Sequence, residues 1–112
     1  MPKPATRSYS RYGQDAAELL GLLIRRARIE RRMTIGELAD RAGLSRGLVR
    51  RIETGDLGCA IGAVFEAAAV VGVRLFDADQ PTLASRIAAN KETLILLPRA
   101  VRASSRPVKD DF

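Results

Sequence analysis

Arg41, Arg46, Arg50 and Arg51 stand within LADRAGLSRGLVRRIETG, residues 38 to 55, where they punctuate two apolar patterns separated by a Gly-Leu-Ser break. A guanidinium offers a rigid fork of donors, which matches paired acceptors such as phosphate oxygens or the O6 and N7 edge of guanine. Other chemistry is poorly supplied. The chain has one cysteine and no histidine, so an internal disulfide is impossible and the common zinc sites lack their ligands. Hydrolytic triads and metal catalysis have little to work with, and no GxxxxGK phosphate loop is present. The sequence therefore points away from an enzyme, and it suggests neither cofactor nor metal. Cys59 reads as a small structural residue.

Composition agrees with an anionic partner. Nineteen Lys and Arg against thirteen Asp and Glu leave a net charge of +6 over 112 residues, a balance that favours nucleic acid without proving it. A chain of this length can bury one small core, flanked here by tails. Residues 1–13 carry Lys3, Arg7 and Arg11 with no acid and read as a mobile basic arm or an ordinary frayed terminus. Residues 99–112 read as a flexible C-terminal tail, with one proline inside it and another at its border. The start MPKPATRSYSRYG lacks the apolar core of a signal peptide, and LLGLLI and AAAVVGV are too short to span a bilayer. A cytoplasmic location is the expectation.

These arginines need helices to aim them. Leu19, Leu20, Leu23, Ile24 and Ala27 recur at helical spacing and predict a first amphipathic helix from Asp15 to about Arg32. Arg25, Arg26, Arg28, Arg31 and Arg32 crowd its C-terminal half, where the helix dipole favours cations. Thr34-Ile35-Gly36-Glu37 has capping-box form, with Met33 and Leu38 placed as a hydrophobic staple. The second helix is thus predicted over Ile35–Ala42. Gly43 can take a positive φ, and Ser45 can cap a third helix through about Glu53.

Two short helices around a glycine turn make a helix-turn-helix when their packing residues fall at fixed offsets. Leu38, Ala39, Ala42, Gly43, Leu44, Val49 and Ile52 meet those offsets. Burying Val49 and Ile52 places Arg46, Gly47 and Arg50 on the opposite face, with Arg51 at its edge. Arg46, Gly47 and Arg50 are the candidate DNA base contacts, and Gly47 would allow close backbone approach. Thr34, Ser45 and Arg51, with Arg7 and Arg11 of the arm, are the candidate phosphate contacts. The arginines could also touch phosphates alone, giving affinity without sequence preference.

Through LGLLIRRARIERRMTIGELADRAGLSRGLVRRIETG and AIGAVFEAAAVVGV, from about Leu20 to Val73, the chain resembles the Xre family of phage-repressor-like DNA-binding domains. The resemblance implies an all-α fold of five helices. It also implies a structural ion pair between Arg28 and Glu53 that ties the first helix to the third. Ile35 departs from the polar residue usual at that position in the family, which removes a supporting contact.

A fourth helix is predicted over Ala60–Val71, with Ile61, Val64, Phe65, Ala68 and Val71 inward and Gly72 as its C-cap. Val73–Phe76 could be a short strand, pairing with its copy across a dimer, or an extended connector. Asp79 or Thr82 can cap a fifth helix from about Pro81 to Leu97, whose Leu83, Ile87, Asn90, Leu94 and Leu97 suit a short dimer seam or packing within the chain. The expected organisation is a basic arm over 1–13, the DNA-binding domain over 14–76, the C-terminal helix over 77–98 and the tail over 99–112. This extension is similar to that of HipB-like antitoxins. That resemblance implies a homodimer on a palindromic double-stranded DNA operator, bound in addition to a HipA-like kinase toxin, with Phe112 as a candidate partner anchor. The alternative is a module that mainly sequesters a partner protein and binds DNA weakly.

Overall fold

Helix termini in this protein are set by short-range hydrogen bonds, and the packing follows from where those termini fall. The computed structural model describes residues 8–101 and 103. Among them are five α-helices and no strand: α1 (Arg11–Glu30), α2 (Ile35–Ala42), α3 (Arg46–Glu53), α4 (Ile61–Val71) and α5 (Gln80–Ile95). The all-α reading holds. A single 3-10 turn over Leu75–Asp77 occupies the place where a short strand was conceivable. Phe76 and Asp77 there have φ of 55° and 52°, left-handed values that break an extended run.

α1 starts four residues before the sequence suggests, inside the segment read as an arm. Ser10 causes this, because its Oγ accepts from the Gly13 amide at 3.0 Å. At the other end Arg32 takes a left-handed φ of 55°. This lets the Met33 amide donate to the Arg28 carbonyl at 3.0 Å and the Arg32 amide to the Ile29 carbonyl at 2.9 Å, the paired closure of a Schellman motif. Gly72 closes α4 in the same way, with the Val73 amide on the Ala68 carbonyl at 2.9 Å. Asp79 caps α5 through the Thr82 amide, so that helix begins at Gln80 with Pro81 in its first turn.

The chain divides into two compact units, one ending at Asp77 and the other beginning at Ala78. In the first, α2 packs on α3 and α4, and α1 packs on α3 and α4. Ile24, Leu38, Val49 and Val71 are fully buried between them, each worth about 1.5–3 kcal/mol of apolar transfer. Met33, Ala39, Ala42, Ile52, Ala67 and Ala68 complete the core.

Two faces differ from the sequence reading. α1 turns Gly21, Ile24 and Arg28 inward and leaves Leu19 and Leu23 exposed. Gly21 explains the choice. A Cβ at this position would stand 2.5 Å from the Ile52 carbonyl oxygen and 2.9 Å from that of Glu53, so α1 meets the end of α3 backbone to backbone. α4 buries Ala67, Ala68 and Val71, with Val64 and Phe65 half-buried and Ile61 69% exposed. The small Ala67 and Ala68 fill the buried part of this helix, and Ile61, its first residue, lies outside it.

In the second unit, α5 exposes Ile87, Asn90 and Leu94 and half-buries Leu83; it ends at Ile95, short of the Leu97 that the spacing suggests, and Leu97 is exposed beyond it. The Asn90 amide is turned back onto the Arg86 carbonyl of its own helix at 2.8 Å. Among the described residues, no helix is long and apolar enough to cross a membrane.

Candidate nucleic-acid interface

The turn between α2 and α3 is closed by Gly43, whose φ of 70° belongs to the left-handed region. The Leu44 amide then reaches the Ala39 carbonyl at 2.9 Å, and Ser45 starts α3 by accepting from the Leu48 amide at 3.1 Å. With Val49, Ile52 and Glu53 buried, the helix has one orientation available. Arg46, Gly47 and Arg50 all lie exposed on the outer side of α3. Nothing would meet a Cβ at Gly47 within 4 Å. No packing among the described residues therefore requires glycine here, although it costs about 1 kcal/mol of helix propensity.

α2 supplies the opposite wall. Thr34 and Glu37 form both bonds of the capping box: the Glu37 amide donates to Thr34 Oγ1 at 3.0 Å and the Thr34 amide donates to Glu37 Oε1 at 3.0 Å. The hydrogen bond from the Thr34 backbone holds the Glu37 carboxyl below its ordinary pKa. In accepting these bonds the hydroxyls of Thr34 and Ser45 leave their own protons available to an acceptor. An open cleft lined by Arg28, Thr34, Ile35, Gly36, Arg46 and Arg50 runs between the starts of α2 and α3. Amides in the first turn of both helices lack intrahelical partners, and an anion at such an end is favoured.

Gly36 was not singled out from the sequence, yet it shapes this cleft. A Cβ here would lie 3.0 Å from Nε and Nη2 of Arg46; the Arg46 guanidinium therefore rests on the first turn of α2. The signal was a glycine at a helix position that needs no positive φ. Ile35, half-buried beside it, lines the cleft without contributing a polar group.

Behind the cleft lies the Arg28–Glu53 pair. Arg28 Nε donates to Glu53 Oε2 at 2.6 Å and Nη2 to Oε1 at 3.0 Å, while Nη1 donates to the Met33 carbonyl at 2.9 Å. Both side chains are nearly inaccessible, at 11% and 5% exposed. The hydrogen bonds to Glu53 raise the Arg28 pKa further above its ordinary value. One side chain thus joins α1, the segment leading to the α2 cap, and α3.

The remaining candidates are dispersed. Arg51 points to the loop after α3, where Nε meets Asp56 Oδ2 at 2.8 Å, and Asp56 Oδ1 accepts from the Gly58 amide at 2.7 Å. The Arg51 hydrogen bond lowers the Asp56 pKa. Arg51 thereby supports the loop and does not line the cleft. Arg11 sits in the first turn of α1, paired with Asp15 at 3.3 Å, and likewise is not part of the cleft. Arg7 and Phe112 lie outside the described residues. Cys59 is half-buried beside Leu20, Ile52 and Leu57 in an apolar hollow, where burial pushes its thiol pKa up.

A capped α2, a left-handed glycine turn and an α3 that presents arginines define a DNA-binding helix-turn-helix protein. A family model described as a helix-turn-helix domain matches residues 19–80. The chain belongs to this helix-turn-helix family, which places it among Xre-like DNA-binding regulators. No curated protein matches the chain.

Proposed function

We propose that the protein is a sequence-specific repressor that binds a palindromic operator as a homodimer and controls its own operon, as the antitoxin partner of a HipA-like kinase toxin in the cytoplasm. One observation carries the DNA-reading part: Arg46 and Arg50 stand four residues apart on the exposed side of α3, with Gly47 between them, where an added Cβ would meet none of the described residues. Each guanidinium can bind guanine O6 and N7 with both prongs, a contact worth roughly 1–3 kcal/mol of base discrimination. Thr34 and Ser45, with the first turns of α2 and α3, supply phosphate contacts that hold the register. In a dimer, recognition helices about 34 Å apart read half-sites one turn apart.

The antitoxin assignment rests on the HipB-like extension beyond the helix-turn-helix unit. A second reading, in which the chain chiefly holds a partner protein, is favoured by the exposed Ile87, Leu94 and Ile95 of α5 and Leu97 just after it. Titration against DNA from its own promoter and against scrambled DNA, each at two salt concentrations, separates the readings. A specific regulator prefers the promoter by about a thousandfold or more. In Arg50→Ala, preference should fall at one base position; equal losses on specific and scrambled DNA would reduce Arg50 to a phosphate contact. Equal binding of the wild-type chain to both DNAs would favour the partner-holding reading.

A further inference from the structure

The outer side of α1 carries a second pattern that the fold does not use. Tyr12, Asp15, Leu19, Leu22, Arg26 and Ile29 recur at alternating intervals of three and four, the a and d positions of a heptad seam. The face is open: Tyr12 is 87% exposed, Leu19 58%, Leu22 50% and Ile29 52%. Asp15 and Arg26 are also exposed and pair within their own helix, with Arg11 and Glu30 respectively, at 3.3 Å. Exposed pairs of this type contribute little and can be shared or exchanged.

We infer that this face pairs antiparallel with the same face of a second copy of the chain. It deepens the proposed dimer and rests on that reading, while the DNA-reading residues play no part in it. The argument is charge complementarity in a single register. Placing Leu19 opposite Leu22 of the second copy puts Asp15 opposite Arg26 and Tyr12 opposite Ile29, and the two-fold axis repeats each pairing. Apolar residues then meet apolar ones, and acid meets base. Along the flanks the same register brings Glu18 near Arg25 of the second copy on one side and Leu23 near Ala16 of the second copy on the other. A parallel pairing instead stacks Asp15 on Asp15 and Arg26 on Arg26, which like-charge repulsion disfavours. The overlap from Tyr12 to Ile29 spans about 27 Å of helix, short enough that the dimer should be weak and concentration-dependent.

Sedimentation equilibrium of the full chain without DNA, from micromolar to millimolar concentration, tests this. Wild-type protein should dimerise. Asp15→Arg and Arg26→Asp should each weaken the dimer at least about tenfold by opposing like charges across the axis. The double variant D15R/R26D should return it to within about threefold of wild type, because the cross-chain pairs are restored with reversed sign. If these residues acted only within their own helix, the double variant would be the worst of the set, since the introduced arginine would then face Arg11 and the introduced aspartate would face Glu30. Leu22→Glu, at the centre of the seam, should be monomeric with unchanged helical circular dichroism. A chain monomeric throughout, a dimer that neither swap weakens, or a double variant without recovery would overturn the inference. Promoter discrimination measured on the same variants keeps the two proposals separate. Discrimination by a wild-type monomer overturns this face alone. A swap-sensitive dimer without discrimination supports the face and removes the DNA reading.

Discussion

Glu53→Ala removes the acceptor of two charge-assisted hydrogen bonds and leaves the Arg28 guanidinium, 11% exposed, with only the Met33 carbonyl. Breaking a buried pair from one side costs about 3–5 kcal/mol, because a desolvated charge remains uncompensated. A domain of this size has a total stability at the lower end of about 5–15 kcal/mol, so a large share is lost. Arg28→Met should cost at least as much, since it strands both the Glu53 carboxylate and the Met33 carbonyl. The double variant R28M/E53L exchanges the pair for apolar volume and leaves one unsatisfied carbonyl, a cost of about 1–3 kcal/mol. It should therefore be more stable than either single variant. The chain has no tryptophan, so urea unfolding followed by far-ultraviolet circular dichroism is the assay. A loss below about 1 kcal/mol for Glu53→Ala would refute the claim that the pair is buried and mutually dependent, as would single effects that simply add in the double variant.

Four further outcomes are expected. Gly21→Ala should destabilise by about 1–3 kcal/mol despite its better helix propensity, because the new Cβ meets the carbonyls of Ile52 and Glu53; the urea midpoint measures this. Gly47→Ala should stabilise the free protein by up to about 1 kcal/mol while weakening promoter binding; unchanged binding would show that the α3 backbone keeps its distance from DNA. Arg32→Gly should raise stability by up to about 1 kcal/mol by relieving a left-handed arginine, visible as a higher midpoint. The Glu37 carboxyl has its pKa lowered in the folded chain, so its stabilisation is present above the ordinary carboxylate range and is lost as pH falls through the lower, folded value. Glu37→Gln should flatten that part of the acid unfolding profile, and an unaltered profile would remove the capping carboxylate as a source of acid sensitivity.

Signals spanning three or four residues were legible because they are hydrogen bonds the backbone makes with its neighbours. Thr34 with Glu37, the left-handed Gly43, Ser45 as the cap of α3 and Gly72 at the end of α4 all appear as read, and with them the orientation of Arg46 and Arg50. Ser10 is a local signal of the same class, and it begins α1 at Arg11 where the apolar spacing alone points to Asp15. Tertiary structure decided what periodicity leaves open. α1 has apolar residues on two sides, and its inner side is the one where Gly21 lets the end of α3 approach backbone to backbone and where Arg28 bonds Glu53. Ala67, Ala68 and Val71 form the buried part of α4, while Ile61, the first residue of the helix, stays outside the core although it shares a face with Ala68. Asp56 drew Arg51 away from the cleft, and Gly36 made room for Arg46 above α2. The sequence by itself determined where helices begin and end, since caps and turns are local. Which face is buried, and where each arginine finally points, depends on how near two separated segments can approach, and only packing sets that distance.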